Sequence, residues 1–544
     1  MEKRKAVISV SDKAGVTEFS KELHNLGWEI ISSRGTAKAI SEAGIPVTDV
    51  AKITGIPPIL KHKLVTINPK ISGGLLSDTT PEDLADLAEY GIPWLDMVVV
   101  DLYHLEEEIK KPGSNLKSVI EQIDIGGVLL LRAAAKGMRI TIPQRADYQL
   151  ILDWLKAGEP ERDKFLRSQA AKTFFITAKY DLAAARYLGE GMYDGMIGRK
   201  VADCAYGENK YQKPAAVFTT DTGDPLSIPD TFKLVQGMAP SFNNYVDMDR
   251  LLQTLTHIVT TFVTNRGRNS IPYIAIAVKH GNACGAAVGW STGLVLQKMI
   301  IGDLDAIFGG LVVTNFGIGE EEAEILLHWN LREGETRRNL DGLIAPRFAP
   351  GVAELLKRKG DKCRLLENDW LWHLRHKDGD LDTSLRFRQI RGGFLKQPNY
   401  SFILDLRDPE LVYIGTMDTQ TDTLMLVTSI ADTSNSNTIT LGRKEDDISY
   451  LIANAVSQQS RVAACKLAKL RAQMGNHDTK DSVGRSDSFF PQDDGPKELA
   501  EMGVKAILTT SGSINDEKVL AMFKRYGVKV LMIPDAKGRG FFGH

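Results

Sequence analysis

Along the first 195 residues, short apolar runs alternate with stretches of helical period. Residues 6–10, 29–32, 97–100 and 139–142 read as strands, whereas 16–26, 81–90 and 128–136 read as helices. Gly27 follows the first of those helices, where a glycine readily ends one. Strand and helix in alternation predict an α/β fold with a doubly wound, mostly parallel sheet. Residues 148–158 and 160–187 continue as helices, the second long enough to act as a connector, and no Gly/Ser linker follows. Strands and helices mix again from 196 onward. The expected organisation is therefore two parts, 1–195 and 196–544, docked rather than loosely tethered.

One run stands out chemically. Ala275-Ile276-Ala277-Val278-Lys279-His280-Gly281 is an apolar, β-branched strand that ends on two basic side chains and enters a turn at Gly281 and Asn282. Such a strand brings an ammonium and an imidazole to the carboxyl edge of a sheet, where α/β proteins build sites; an ordinary strand with solvated end residues is the plainer reading.

Composition narrows the classes. At 544 residues the chain exceeds what one hydrophobic core organises. Its 67 Lys and Arg balance 69 Asp and Glu with no long basic block, which is not the footprint of a nucleic-acid binder. The basic start Met1-Glu2-Lys3-Arg4-Lys5 precedes too short an apolar run for a signal peptide, and no run of about 18 apolar residues occurs. A soluble, cytoplasmic protein without membrane contact is expected. Cys204, Cys284, Cys363 and Cys465 are widely spaced and form no C-x-x-C pair, so no metal site and no disulfide framework is expected, and the thiols read as reduced and mostly buried.

Two turns in the first part have the chemistry of phosphate sites. Ser11-Asp12-Lys13-Ala14-Gly15 and Ser32-Ser33-Arg34-Gly35-Thr36-Ala37 each follow a strand and open a helix, whose amino terminus offers free N–H groups to an anion. Spacing alone favours simple N-capping by Ser11, Asp12 or Thr36. Asp124-Ile125-Gly126-Gly127 opens a third helix, with Lys136 about three turns further on. Either the paired glycines let the backbone approach a ligand, or Asp124 caps the helix and Lys136 complements its other end.

Read in order, Ile123-Asp124-Ile125-Gly126-Gly127, Tyr206-Gly207-Glu208-Asn209, Phe242-Asn243-Asn244, Lys279-His280, Phe308-Gly309-Gly310, Asp341-Gly342-Leu343-Ile344-Ala345-Pro346 and Arg391-Gly392-Gly393 resemble the bifunctional purine-biosynthesis family that joins AICAR transformylase to IMP cyclohydrolase. The match runs from Ala6 to His544. The resemblance implies a methylglyoxal-synthase-like domain followed by a transformylase region of two cytidine-deaminase-like subdomains that use no metal. It implies formyl transfer from 10-formyltetrahydrofolate to AICAR, nucleotide and folate as small-molecule partners, and a homodimer whose transformylase sites use both subunits.

Residue roles follow from the same resemblance. Ser11, Asp12, Lys13, Ser33, Arg34, Gly35 and Thr36 would hold the nucleotide phosphate, with Arg34 standing where the family has Gly. Tyr103, Asp124, Gly126 and Lys136 belong to the ring-closing site. His280 would take the amine proton during formyl transfer, Lys279 would favour developing negative charge or protonate the leaving folate nitrogen, and Asn437, with Asn435 as close competitor, would orient the folate. Tyr206, Gly309, Asp341, Phe489, Asp494, Ser513 and Arg539 would contact substrate. Taken singly, Tyr206 and Phe489 read as core aromatics and Asp341-Gly342 as a turn.

The chain also departs from the family. Relatives carry Val-Lys-Thr-Leu-His-Pro and a second His, whereas this chain reads Leu64-Val65-Thr66-Ile67-Asn68-Pro69-Lys70-Ile71-Ser72. Val65 stands in place of a lysine, Asn68 and Ser72 in place of histidines, and Lys63 and Lys70 are out of register. One lost oxyanion donor costs about 2.7–4 kcal/mol, which predicts cyclohydrolase activity that is reduced or absent. Ala205 and Gly540 replace arginines. A non-catalytic homologue that binds a purine nucleotide or folate, and an enzyme on a related aminoimidazole substrate, are the alternative readings.

Overall fold

A computed structural model describes residues 3–60, 65–375, 381–415 and 420–543; the side chain of Arg34 lies outside what it describes, as does Lys63. The chain divides into two compact units, Met1–Ile197 and Gly198–His544.

The first unit is built on five parallel strands, β1 (Lys5–Val10), β2 (Glu29–Ser32), β3 (Thr48–Asp49), β4 (Met97–Asp101) and β5 (Ile140–Ile142), in the order β3-β2-β1-β4-β5. Strands buried on both faces read as continuous apolar runs, which is why β1, β2, β4 and β5 were visible in the sequence. Successive residues of β1 feed opposite cores: Ala6, Ile8 and Val10 pack with Phe19 and Leu23, and Val7 packs with Leu130 and Leu131. The helix Val16–Asn25 buries Val16, Phe19, Ser20 and Leu23 at helical spacing, and Gly27 beyond it has φ +86°. The connector is the 27-residue helix Arg162–Leu188. Strand β3 and the short helices Val50–Thr54, Pro69–Leu76, Leu105–Lys110 and Leu116–Glu121 lie outside the expected elements, because each is too short for a periodicity. The strand order reverses between β1 and β4, the switch point at which open sheets bind ligands.

The second unit contains a hairpin of β6 (Arg199–Cys204) and β7 (Ala215–Thr219), and then strands that belong to one large sheet. Its first six are β8 (Lys233–Gln236), β9 (Tyr273–Lys279), β10 (Asn282–Gly289), β11 (Leu311–Thr314), β12 (Gly342–Ala345) and β13 (Arg364–Glu367). A second hairpin, β14 (Leu385–Ile390) and β15 (Gly393–Pro398), intervenes. Then come β16 (Val412–Ile414), β17 (Ile439–Glu445), β18 (Ile448–Ala455), β19 (Val483–Ser486), β20 (Ala506–Ser511) and β21 (Lys529–Pro534).

The order across this sheet is β16-β21-β20-β19-β17-β18-β10-β9-β11-β12-β13-β8, a palindrome of two six-stranded halves. Each half runs edge strand, helix, hairpin, and then three helix-strand steps; the helices Phe242–Arg266 and Thr421–Asp432 correspond. The halves meet where β10 pairs antiparallel with β18, Ala287 opposite Tyr450 and Val288 opposite Ser449. Both corresponding helices cover one face, where Leu251, Leu255 and Ile258 pack with Met425, Leu426 and Ile430 over Ile274 and Ile276. The opposite face carries Val295, Leu296 and Met299 together with Ala464 and Ala468.

Among the described residues no helix is long and apolar enough to cross a membrane. No group of three or more His, Cys, Asp or Glu among them could hold a metal ion, and all four cysteines are free and buried.

Candidate functional site

Lys279 and His280 lie at a hairpin tip. Strand β9 is antiparallel to both β10 and β11, and the chain turns straight back through the turn that Gly281 and Asn282 suggested. Lys279 pairs with Asn282 across a two-residue turn whose central residues, His280 and Gly281, have φ of +54° and +72°. Both positive values define the type I′ turn that matches strand twist; glycine takes this region freely, and histidine must be held there. The Gly281 N–H donates to Asp247 Oδ1 at 2.7 Å, and Lys279 Nζ donates to the Phe308 carbonyl at 2.7 Å. Burial raises the Asp247 pKa, and the Gly281 N–H and the nearby His280 oppose the rise. His280 itself is exposed.

The bond to Phe308 brings Lys279 beside Gly309, whose φ is +72°, and Gly309 neighbours the carboxylate of Asp341. Asp341 Oδ1 accepts from Arg358 at 3.0 Å, and its carbonyl accepts from Arg364 at 3.3 Å. Arg364 lies within electrostatic reach of half-buried Tyr206. Lys279, His280, Gly309 and Asp341 thus form one neighbourhood, and no contact joins Tyr206 to it among the described residues.

A second neighbourhood gathers around the carboxy terminus. Asn282 Oδ1 accepts from the Asn435 N–H at 3.3 Å, whereas the Asn437 amide donates to the Gln458 carbonyl at 2.8 Å. Of the two asparagines, Asn435 touches the hairpin. Buried Asp487 accepts from the Thr438 N–H at 3.0 Å, while its carbonyl accepts from the Gly540 N–H at 3.0 Å, fastening the 433–438 loop to the chain end. Arg539 pairs with Asp535 at 2.6 Å and lies over the Phe489 ring at 5.7 Å. Ser513 accepts from the Asn515 N–H, and Asp494 is exposed and bonds only the adjacent Gly495 N–H among the described contacts. Gly540 has a packing reason: a Cβ there would lie 2.4 Å from both Asp432 Oδ1 and Tyr400 OH.

These residues share one edge of the large sheet, but that edge is long. Asp341 heads β12 and Ser513 follows β20, seven strand steps apart, on the order of 30 Å. One chain therefore does not bring Asp341 and Ser513 onto a common small ligand.

In the first unit the expected residues converge on the switch point between β1 and β4. Asp101 Oδ2 accepts from Ser11 Oγ at 2.9 Å and from the Asp12 N–H at 3.1 Å. Lys13 Nζ turns back onto the Ser11 carbonyl at 3.0 Å, and burial lowers its pKa. In the first loop Asp12 Oδ1 accepts from the Ala14 N–H at 3.0 Å, ahead of the helix itself. The helices Val16–Asn25 and Arg34–Glu42 have no side-chain cap; Thr36 Oγ1 is bound to the Val10 backbone, and Ser33 Oγ meets Ser9 Oγ at 3.3 Å. The N–H groups of both helix starts have no side-chain cap, and Gly35 is exposed in the first turn of the second.

Asp124 does cap, accepting from the Gly127 N–H at 2.6 Å, and its own N–H is held by Tyr180 OH at 2.8 Å. Burial raises the Asp124 pKa, Asp101 adding to the effect; burial likewise raises Tyr103, with Asp124 beside it. Lys136 sits exposed at the far end of the Gly126–Lys136 helix, about 18 Å along its axis from Asp124. The structure does not join Lys136 to that group. Val65 packs into the apolar cluster of Val7, Ile31 and Val100, and its neighbour Thr66 lies against Gly126. Asn68 caps the helix Pro69–Leu76 at the Lys70 N–H, 2.9 Å, and Ser72 Oγ bonds the Asn68 carbonyl. An apolar side chain and two helix-end partners thus occupy the positions where relatives have a lysine and two histidines.

Asp101, Arg145, Asp247, Arg358 and Asp487 belong to these neighbourhoods and were missed from sequence. Arg145 bonds Asp12 at 3.3 Å from a loop 133 residues away, which no local pattern reveals.

A family model described as AICARFT/IMPCHase bienzyme matches residues 134–471, and one described as MGS-like domain matches 15–129. The bifunctional purine biosynthesis protein PurH of Chlorobium phaeobacteroides is 32% identical over 532 residues, covering 95% of each chain. PurH of Anoxybacillus flavithermus is 34% identical over 543 residues, covering 97% of this chain and 98% of its own. A solved structure titled "Crystal structure of ForH" is 32% identical over 35% of this chain and 98% of its own, with a TM-score of 0.32.

Proposed function

The chain belongs to the AICARFT/IMPCHase bienzyme family, and from that premise we propose that it serves de novo purine biosynthesis by transferring a formyl group to AICAR at the Lys279-His280 hairpin. The donor is 10-formyltetrahydrofolate. The exocyclic amine of AICAR attacks the formyl carbon, a new C–N bond forms, and the folate nitrogen leaves with a proton. That amine is a weak nucleophile, so a positioned base must accept its proton as the tetrahedral centre forms, and His280 has this role. Lys279 offers positive charge to the developing oxyanion or a proton to the folate nitrogen.

The observation that carries this reading is the left-handed turn itself. An exposed imidazole is held in a conformation that histidine disfavours, by bonds from Gly281 to Asp247 and from Lys279 to Phe308. Tyr206, Gly309 and Asp341 would contact the nucleotide beside it. Because Ser513 lies on the order of 30 Å along the sheet edge from Asp341, Ser513 would serve a second copy's nucleotide, while Phe489, Asp494 and Arg539 would contact substrate from the carboxy-terminal neighbourhood. This supports a homodimer with shared sites, acting in the cytoplasm on small molecules rather than on nucleic acid.

The first unit closes the ring: the carboxamide nitrogen attacks the formyl carbon and water is lost. Asp124 and Tyr103 are the proton-handling groups, and the open helix termini at Ser11–Lys13 and Ser33–Thr36 receive the phosphate. With Val65 in place of a cation, this step is slow.

Incubation with AICAR and 10-formyltetrahydrofolate, followed by mass spectrometry, tests the reading. Formyl-AICAR is expected from the protein and not from His280→Ala. Absence of product from the wild type, with ligand binding intact, would sink it in favour of a binding protein or a different aminoimidazole substrate.

A further inference from the structure

The palindromic sheet has a consequence on the edge opposite His280. Two halves related by an approximate two-fold across the β10–β18 seam must present every loop cluster twice. The first cluster is assembled from the β9–β10 tip, the start of the helix Phe242–Arg266, the loop after the helix Thr421–Asp432 and the end of β18. Its image is the β17–β18 tip, the start of Thr421–Asp432, the loop after Phe242–Arg266 and the end of β10. The correspondence is close in detail. The β17–β18 tip is also a two-residue turn with both residues left-handed, Asp446 at +50° and Asp447 at +60°.

A cavity of about 210 Å³ lies at that image position, lined by Asp447 from the tip, Asp422 from the helix start, Arg266 from the last turn of Phe242–Arg266, Ser270 from the loop after it, and Trp290 just past β10, over Phe262. Every element the two-fold demands contributes a wall. The chemistry differs, however. Glu445 and Asp446 stand where Lys279 and His280 stand, so the imidazole and its cation are absent from the tip.

From this geometry we infer a second ligand site, which binds a neutral planar nitrogen heterocycle the size of a single purine base. The volume lies below the roughly 300–1,000 Å³ typical for drug-sized ligands, so it suits one ring system without its sugar and phosphate. Charges on the wall are already paired: Arg266 with Asp422 at 2.9 Å and Asp447 with Lys444 at 3.0 Å. Among the described lining residues the one cation, Arg266, is already paired with Asp422, whereas a neutral ring can take hydrogen bonds from the pairs without unpairing them. Trp290, 59% exposed, supplies a face for stacking. The inference takes from the proposed function only the location of the first site.

The test uses the full-length protein and the fluorescent base 2-aminopurine as probe. Saturable quenching below about 1 mM is expected for a fragment-sized ligand. It should persist in His280→Ala, fall at least tenfold in affinity in Trp290→Ala and Asp447→Leu, and resist competition by inorganic phosphate. Formyl transfer, assayed separately, should survive Trp290→Ala. The inference is overturned if no saturable quenching occurs, if Trp290→Ala binds like the wild type, if phosphate displaces the probe, or if His280→Ala abolishes binding. Failure of the formyl-transfer assay alone would count against the proposed function and leave this site standing.

Discussion

Asp247 and Gly281 are joined by a 2.7 Å hydrogen bond between a raised-pKa carboxylate and the backbone of the residue that follows the imidazole. The carboxylate sits on the helix Phe242–Arg266, so the orientation of His280 is set by an element 34 residues upstream. If this bond positions the base, Asp247→Ala should lower kcat for formyl transfer by about ten- to a hundredfold, the worth of roughly 1.5–3 kcal/mol for a charge-assisted bond. Asp247→Asn, which keeps an acceptor, should retain most of the rate. Steady-state kinetics on both variants, with unchanged circular dichroism, distinguishes positioning from general loss of structure.

Gly540 admits no side chain without displacing Asp432 or Tyr400. Gly540→Ala should therefore release the 538–543 segment and destabilise the second unit by about 1–3 kcal/mol, the usual cost of overpacking. Faster cleavage of the carboxy terminus by a protease, with a lower melting temperature, is the expected readout; an unchanged cleavage rate would contradict it.

Val65 contributes packing where a cation is wanted. Val65→Lys should accelerate IMP formation from formyl-AICAR, recovering part of the roughly 2.7–4 kcal/mol that one oxyanion donor supplies. Gly127→Ala should do the reverse, since its Cβ would meet Asp124 Oδ2 at 2.5 Å and Val100 Cγ1 at 2.9 Å. Single-turnover assays on purified formyl-AICAR measure both.

Buried His257 has its pKa lowered from 6.5 to about 4 by burial. A depressed folded value means that the unfolded chain binds the proton more readily. Stability from this group is complete above pH 6.5 and is lost as pH falls toward 4, by about 3 kcal/mol in all. Thermal unfolding at about pH 7.5 and about pH 5 should show a smaller drop for His257→Phe than for the wild type. An equal drop would assign the acid sensitivity to other groups.

Strands β1, β2, β4 and β5 of the first unit were legible because burial on both faces leaves uninterrupted apolar runs. The hairpin tip was half legible. The strand and the turn at Gly281 and Asn282 could be read locally, but nothing local says that β9 is antiparallel to both neighbours and so closes a two-residue hairpin. The reach of Asp247 and Arg145 was hidden, since each acts across a fold that only long-range pairing creates. Lys136 was grouped with Asp124 by resemblance, and the helix between them separates the two. The two halves of the large sheet were expected from the family resemblance and not from any repeat in the residues themselves. Its halves share strand order but not residues, as His280-Gly281 against Asp446-Asp447 illustrates.

The seam between β10 and β18 gives the second unit the character of a fused pair. Two such folds on separate chains would have to meet by diffusion, whereas here one chain holds them at a fixed effective concentration. Their identity no longer has to be preserved for the sheet to close. One covalently closed sheet thus presents an imidazole and ammonium on one edge and a carboxylate tip on the other, so a single scaffold carries two hairpins of opposite charge.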